Sequence, residues 1–374
     1  MHTWTEIKFQ HADTGVYLGS PTVVRLGNGD LLAAHDYFGK HAPRGFNGEY
    51  LLTSIYRSSN NGGTWSNITQ IAHAFWSSLF LHAGAVYLIG VSEQFGSIVI
   101  RRSDDNGNTW THPMDRQSGL LFEASWNHNR PNYHCGPMPV FQWHGRLYRA
   151  FEDLTPLIWG PGFQSCVISA DEDADLLNAD NWRMSNKLPY DPAWTPAEWG
   201  YAEGPGWLEG NVLEAPNGEL WNILRFNSKP GVDKAAIVKI HDEGCRVSFD
   251  PETGFIDFPG GMSKFTIRRD EASGAYLTLT NNNTDPAWPN QRNVLSLYKS
   301  DDLLHWTHTA TLMEDDSPLS YDDSMRLTGF QYVDWQFDGD DIIYMVRTAY
   351  DGAHNYHDSN RMIFRILRDF RKMI

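Results

Sequence analysis

The chain has 374 residues, of which 41% are hydrophobic, and a formal net charge of −16. A chain of this length can bury a large core as one big domain or as two ordinary ones. The negative charge excludes a nucleic-acid backbone or an anionic membrane surface as the main partner, because either would require a basic face. An acidic chain can nevertheless carry a basic pocket.

Cysteine usage and the start of the chain give expectations about its environment. Cys135, Cys166 and Cys245 lie far apart and form no CxxC pair, so we expect reduced thiols, without a disulfide framework or a zinc knuckle. The first residues lack an apolar leader, and the sequence contains no run of about 18 apolar residues. We therefore expect a cytoplasmic protein, or a secreted one if a signal peptide has been removed.

The predicted elements, in chain order, are short strands separated by turns rich in Gly and Asn. They fall into six units, and we read no helical periodicity and no domain linker between them. The predicted strands span residues 20–26, 30–36 and 51–57; 77–81, 85–90 and 97–102; 137–141, 146–151 and 166–169; 211–215, 219–224 and 235–240; 264–268, 275–279 and 293–298; and 332–337, 341–346 and 361–366. The strands given for each unit are its first three; the last unit supplies only these, and the alternating segment 3–9 can serve as its missing outer strand.

A turn motif recurs after the third strand of several units. Residues 58–65 read SSNNGGTW and residues 103–110 read SDDNGNTW, with weaker copies at 169–182 and 300–306. The Asp or Asn and the Gly suit a tight turn, and the Trp can fill the gap between neighbouring sheets. This pattern resembles the Asp-box of sialidases and related propellers. The resemblance implies an all-β fold, a single six-bladed β-propeller over residues 1–374, with the N-terminal strand closing the last blade.

Polar residues collect where the second strands end and the first strands begin, which is one mouth of a propeller's central channel. A ring of such positions indicates a ligand site, and an oligosaccharide or glycoside is the expected partner. We expect no cofactor. The residues predicted to bind substrate are His35, Trp76, Arg225, Asn227, Lys264, Asn281, Tyr332, Arg347 and His357.

The resemblance to sialidases also suggests catalytic roles. Those enzymes use a carboxylic acid as proton donor and a Tyr, ionised by a neighbouring Glu, as nucleophile. By position, Asp36 resembles the acid, and Glu209 with Tyr350 resembles the base and nucleophile. Arg225 and Arg347 resemble two members of the arginine cluster that grips the substrate carboxylate. Sialidases open their first blade with Arg-Ile-Pro, whereas this chain has Gly-Ser-Pro at 19–21, so one arginine of the three is missing.

Other polar residues provide alternatives within the same pocket. Glu152 and Asp153 form a second candidate proton-donor pair, and His354 is a candidate general acid or base. His354, His357 and Asp358 are spaced loosely like metal ligands, but orientation of substrate hydroxyls or loop hydrogen bonding is the preferred interpretation, and we expect no metal.

The sequence thus supports three hypotheses. The first is a glycoside hydrolase that cleaves a terminal, possibly acidic, sugar. The second is a polysaccharide lyase in which Arg or Lys neutralises a uronate carboxylate while His134, His354 or Tyr350 transfers protons. The third is a sugar-binding propeller without catalysis, since a fold does not determine a function.

Overall fold

The structure is a computed structural model that describes residues 4–125, 128–199, 204–229 and 231–374. Its strands form six sheets that follow one another along the chain, and every strand pair described within a sheet is antiparallel. Each sheet packs against the next, and the first sheet also packs against the last. The chain is therefore a six-bladed β-propeller, as the sequence predicts.

The first three blades contain the following strands. Blade one consists of β2 (Tyr17–Arg25), β3 (Leu31–Phe38), β4 (Leu52–Ser58) and β5 (Ser66–Ala72). Blade two consists of β6 (Phe75–His82), β7 (Ala85–Val91), β8 (Ile98–Ser103) and β9 (Leu120–Phe122). Blade three consists of β10 (Tyr133–His134), β11 (Phe141–Trp143), β12 (Arg146–Leu154), β13 (Phe163–Asp171), β14 (Trp182–Met184) and β15 (Leu188–Pro189). Blade three thus has an interrupted first strand and an interrupted fourth strand.

The remaining blades complete the ring. Blade four consists of β16 (Gly206–Glu214), β17 (Leu220–Asn227), β18 (Lys234–His241), β19 (Arg246–Ser248) and β20 (Phe255–Asp257). Blade five consists of β21 (Thr266–Arg269), β22 (Tyr276–Asn281), β23 (Val294–Ser300) and β24 (Thr307–Glu314). Blade six consists of β25 (Gly329–Asp338), β26 (Asp341–Ala349), β27 (Arg361–Leu367) and the N-terminal strand β1 (Thr5–Phe9).

The N-terminal strand closes the propeller. β1 pairs with β27 as the outermost strand of blade six, in the register Thr5 with Phe364 and Phe9 with Arg361. The prediction that this segment supplies the missing strand is confirmed, although Thr3, where the predicted segment starts, lies outside the described residues. Pairing the two ends of the chain in one sheet covers an edge that would otherwise be exposed.

Short helical segments interrupt the strands. One α-helix, α1 (Tyr321–Leu327), lies between blades five and six and is capped by Ser320, whose side chain accepts a hydrogen bond from the Asp323 amide. The sequence analysis missed it because seven residues are too few to show a helical period. No helix in the described part of the chain is long and apolar enough to cross a membrane. Short 3-10 turns span Ala12–Thr14, Ala179–Asn181, Pro192–Trp194, Ala197–Trp199, Asp242–Gly244 and Phe370–Lys372.

The core consists of one apolar cluster between each pair of neighbouring blades. The repeated turns help to form these clusters. In the turn at 58–65, Ser58 and Asn60 side chains accept backbone hydrogen bonds from within the turn, and Trp65 packs against Phe364 of blade six at 5.3 Å between ring centroids. Gly62 has a φ of +82°, and a Cβ there would clash with the Phe364 ring. The turn therefore joins its own blade to the preceding one.

Candidate active site

Four β-bulges aim side chains at the mouth of the central channel. The innermost strands of blades one, two, four and six each lose register with the second strand at one point. At each bulge one residue has a left-handed backbone conformation: Ser20 (φ 42°), Trp76 (φ 47°), Glu209 (φ 57°) and Tyr332 (φ 53°). Bulges re-aim side chains and are frequent beside active sites.

These four residues line a single cavity, called here the main cavity, of about 200 Å³. Its other described lining residues include Asp36, Tyr50, Gln94, His134, Trp159, Arg347 and His357. In a ring of six blades, blade one faces blade four and blade three faces blade six. Asp36 therefore lies across the channel from Glu209, and His134 lies across it from Arg347.

Glu209 and Tyr332 are hydrogen-bonded in the wall of the main cavity. Tyr332 Oη donates to Glu209 Oε1 at 2.8 Å, and Arg225 Nη1 lies 2.8 Å from Glu209 Oε2 and 3.1 Å from Tyr332 Oη. Burial raises the pKa of Glu209, but Arg225 and His134 outweigh it and hold that pKa below its usual value. Burial and the Glu209 charge raise the pKa of Tyr332. The phenol thus stays protonated beside a carboxylate placed to take its proton.

Asp36 lies on the opposite wall, at the end of β3. Its Oδ2 accepts a hydrogen bond from the Trp76 amide at 2.9 Å. Gly19 makes room for this carboxyl group, because a Cβ at position 19 would lie 2.3 Å from Asp36 Oδ1. Burial raises the pKa of Asp36 to about 6 despite the opposing influence of hydrogen bonds from Ser20 and Trp76 and of the Arg347 charge. A carboxyl group with this pKa can act as a general acid near neutral pH.

Arg347 presents a guanidinium group to the main cavity between two aromatic rings. Its Cζ lies 4.6 Å from the Phe38 ring centroid and 4.8 Å from that of Tyr332. Its Nε donates to Ser359 Oγ and its Nη2 donates to the His357 carbonyl at 2.6 Å. No hydrogen bond to a described residue involves Nη1, so this end of the group is available to a ligand.

His357 and Asp358 orient this arginine. His357 Nδ1 lies 2.8 Å from Asp358 Oδ1, and its Nε2 lies 3.2 Å from Arg347 Nη2. Because a carboxylate only accepts, Nδ1 carries the proton and Nε2 accepts from the arginine. Burial and Arg347 lower the pKa of His357 to about 4, which keeps the ring neutral. Asp358 also pairs with His354 at 2.9 Å on the outer side of the loop.

His134 is the polar group that blade three contributes. Its Nδ1 lies 2.8 Å from Glu152 Oε2, and both side chains are almost fully buried. The rings of Trp76, Trp159 and Phe163 surround the imidazole at 4.4, 5.8 and 4.8 Å between centroids. The carboxylate fixes the tautomer with the proton on Nδ1, so the other ring nitrogen is an acceptor when the imidazole is neutral.

Comparisons with known proteins indicate the same architecture. No protein-family model matches the chain, and no curated protein sequence matches it. Among solved structures, it is similar to the Hadza microbial sialidase Hz136, at 12% identity over 99% of this chain and 69% of that chain, with a TM-score of 0.64. It is also similar to an α-L-arabinanase from Penicillium chrysogenum, at 17% identity over 100% of this chain and 99% of that chain, with a TM-score of 0.57.

A third similar structure is the sialidase of Trypanosoma rangeli, at 14% identity over 98% of this chain and 57% of that chain, with a TM-score of 0.56. At these identities the similarity shows the sialidase-like propeller fold alone. Sugar cleavage is a property of those proteins. Because they are named as sialidases and an arabinanase, the same architecture is associated with different substrates.

The structure brings many of the predicted site residues together. Asp36, Trp76, His134, Glu209, Tyr332, Arg347 and His357 line the main cavity. Arg225 and Asn227 line a second cavity that adjoins the main one. Glu152 reaches the cavity only through His134.

Tyr350, in contrast, is corrected by the structure. Its Oη donates to Asp316 Oδ1 at 2.8 Å, and its ring packs against Trp4 and Phe330 in the apolar cluster between blades five and six. It does not line the main cavity, because its ring is taken up by this cluster. The tyrosine beside Glu209 is Tyr332, which the sequence analysis assigned to substrate binding.

Other predicted residues also lie away from the main cavity. His35 points to the opposite face of β3 from Asp36, where Tyr56 stacks on its ring. Asp153 Oδ2 lies 2.8 Å from Lys187 Nζ, so Asp153 does not form a proton-donor pair with Glu152. His354 packs on Tyr17 outside the cavity.

Lys264 and Asn281 are buried structural groups. Lys264 Nζ donates to Thr266 Oγ1 and to the Val333 carbonyl beneath the mouth. Asn281 Nδ2 donates to the carbonyls of Phe330 and Arg292, among others, and so fixes the loop before β23. Neither side chain lines the main cavity.

That loop carries Arg292, which sequence reasoning missed. Arg292 is buried, and its Cζ lies 5.9 Å from the Tyr332 ring centroid. It precedes a third strand, whereas the predicted mouth positions are first-strand starts and second-strand ends. With Arg225 and Arg347 it brings three arginines around Tyr332, so the missing first-blade arginine does not leave the site short of positive charge.

Proposed function

We propose that the chain is a glycoside hydrolase that removes a terminal sugar whose anomeric carbon carries a carboxylate. The observation that carries this proposal is the Tyr332–Glu209 hydrogen bond, 2.8 Å long, on the wall opposite Asp36. A carboxylate nucleophile would be repelled by the carboxylate of such a substrate. A neutral phenol avoids that repulsion. It passes its proton to Glu209, which lies behind the phenol oxygen and does not itself bond to the substrate.

The reaction has two steps. In the first, the Asp36 carboxyl proton moves to the glycosidic oxygen, the bond from that oxygen to the anomeric carbon breaks, and Tyr332 Oη bonds to the carbon as its proton passes to Glu209. In the second, Asp36 takes a proton from water, the water oxygen bonds to the anomeric carbon, and Tyr332 leaves and regains its proton from Glu209. Two displacements retain the anomeric configuration.

The charge of the buried groups supports an acidic substrate. Arg292 and Arg347 are buried near Tyr332, and neither has a carboxylate within ion-pair distance in the described ranges. A buried guanidinium without an anion costs free energy, and a bound carboxylate offsets that cost. Arg347 lines the main cavity, and its Nη1 is the group that we assign to the carboxylate on the anomeric carbon.

A second candidate function is supported by His134 and Glu152. A lyase acting on uronate-containing glycans needs a base opposite a cation that neutralises the carboxylate. His134 lies across the channel from Arg347, and Glu152 fixes its tautomer. We place this candidate second because it gives no role to Glu209 and Tyr332.

The test is a panel of fluorogenic glycosides, uronate-containing glycans and neutral arabinosides assayed with the full chain. We expect release of the fluorophore from glycosides with an anomeric carboxylate, and none from arabinosides. Rising near-ultraviolet absorbance with uronate glycans, without hydrolysis of the acidic glycosides, would instead establish the lyase. Binding of an acidic glycan without turnover would establish a sugar-binding propeller.

A further inference from the structure

A second cavity adjoins the main one. It has a volume of about 270 Å³ and shares Trp159, Tyr332 and His357 with the main cavity. The other described residues that line it include Arg225, Lys229, Asn290, Arg292 and Tyr356. Among the residues that the structure describes, no carboxylate lines it, whereas Asp36 and Glu209 line the main cavity.

Arg292 is the most informative residue of the second cavity. Its guanidinium lies 5.5 Å from the Tyr356 ring centroid, and its Nη1 donates to Gln331 Oε1. Its Nε is buried without a hydrogen-bond partner in the described structure. Burial and the nearby Arg225 charge lower the pKa of Arg292 to about 10. The cavity thus presents a buried cation whose surroundings are themselves cationic, which favours occupation by an anion.

Lys229 adds a second positive group that can move. It lies two residues beyond blade four's second strand and is partly exposed, so its ammonium group can follow a ligand. Arg225, in contrast, is held by Glu209 and by the Tyr332 hydroxyl. The two cations available to a ligand in the second cavity are therefore Arg292 and Lys229.

The position of the second cavity beside the main one indicates which kind of anion it binds. Trp159, about half exposed, lines both cavities and presents an aromatic face on which a sugar ring can stack. One glycan can therefore occupy both cavities along the same rim. We propose that the second cavity binds a second acidic group, carboxylate or sulfate, of the same substrate, which is then a doubly acidic glycan. This inference rests on the proposed function for the main cavity.

The first experiment counts anion sites without requiring turnover. Inorganic sulfate is titrated into the full chain by isothermal calorimetry, and crystals soaked in sulfate locate the bound ions. We expect two sulfates, one beside Arg347 and one beside Arg292 and Lys229. Both Lys229→Ala and Arg292→Gln should weaken the second site at least about tenfold and keep the first, because each removes a charged hydrogen bond to the anion.

Two variants serve as controls for this titration. Arg347→Met should lose the first site and keep the second. Lys239→Ala removes an ion pair with Glu219 at the far edge of blade four and should keep both sites. A single sulfate that is lost in Lys229→Ala, Arg292→Gln and Arg347→Met alike would overturn the inference, because the arginines would then share one anion. Lys229→Ala removes only a partly exposed side chain, so it tests the site even if Arg292→Gln fails to fold.

The second experiment distinguishes an acidic group of the substrate from a free anion. Sulfated uronate disaccharides, digalacturonate and a disialic acid are used to displace sulfate. We expect at least one disaccharide to displace both sulfates at one molecule per chain. Displacement of a single sulfate by every member of the panel would overturn the proposal. Because binding is measured, a chain that hydrolyses nothing can still show two sites, and a hydrolase with one sulfate site contradicts only this inference.

Discussion

The wall that blades one to three contribute to the main cavity differs from the wall that blades four to six contribute. On the first wall, His134 is paired with Glu152, and Asp36 accepts a hydrogen bond from the Trp76 amide while burial raises its pKa to about 6. On the second wall, Arg347 is buried without a carboxylate at ion-pair distance in the part of the chain described, and the same holds for Arg292 in the adjoining second cavity. The difference indicates that the missing charge is expected from the ligand, which therefore binds with its acidic group toward blades five and six.

The largest expected effect tests which tyrosine acts on the second wall. Tyr332→Phe removes the proposed nucleophile and should lower kcat by at least about a hundredfold, the lower end of what a proton-transferring or nucleophilic group contributes. Tyr350→Phe, the matched variant in the apolar cluster between blades five and six, should change kcat less than about twofold. Steady-state kinetics on the acidic glycoside measures both. A loss in Tyr350→Phe with kcat unchanged in Tyr332→Phe would return the role to Tyr350.

A smaller effect is expected from the arginine that faces the main cavity. Arg347→Met removes a charged hydrogen bond to the substrate carboxylate worth about 1.5–3 kcal/mol, so kcat/KM should fall about 10- to 100-fold. Arg361→Met on the neighbouring strand, where the arginine pairs with Glu6, is the control and should leave kcat/KM within about twofold. An unchanged kcat/KM in Arg347→Met would remove this arginine from carboxylate binding.

The acid on the first wall predicts the pH dependence. Asp36 has its pKa raised to about 6 and must be protonated to act, so kcat/KM should fall about tenfold per pH unit above that value. Glu209 must be ionised, and its lowered pKa places the loss of activity on the acidic side at a lower pH. The Asp36→Asn variant should lose the alkaline decline together with most of the activity. If kcat/KM instead stays constant over roughly two pH units above that pKa, Asp36 is excluded as the acid.

The fold could be predicted from the sequence because its signals are local and repeated. The turn copies at 58–65 and 103–110, the Gly- and Asn-rich turns and the short strands recur at similar spacing, and the unpaired N-terminal strand had one place to pair. Because equivalent points of successive blades meet at the axis, the predicted repeat also placed Asp36, Glu209 and Arg347 at one mouth of the channel.

The errors in the site come from features that have no local sequence signature. Tyr332, and not Tyr350, lies beside Glu209 because it sits at a bulge with positive φ, a conformation that no glycine at that position indicates. Alternation along β3 sends His35 and Asp36 to opposite faces, so neighbours in sequence do not share the cavity. Arg292 enters from a loop whose path is fixed by Asn281, a contact between residues 11 positions apart.

The most direct test of the central claim is to trap the covalent intermediate. A substrate analogue with fluorine beside the anomeric carbon and fluoride as the leaving group slows the second step more than the first, and the labelled chain is digested and analysed by mass spectrometry. We expect the sugar on the peptide that contains Tyr332 in the wild-type chain, and no label in Tyr332→Phe. A label on Glu209 or Asp36, or one that persists in Tyr332→Phe, would contradict a tyrosine nucleophile.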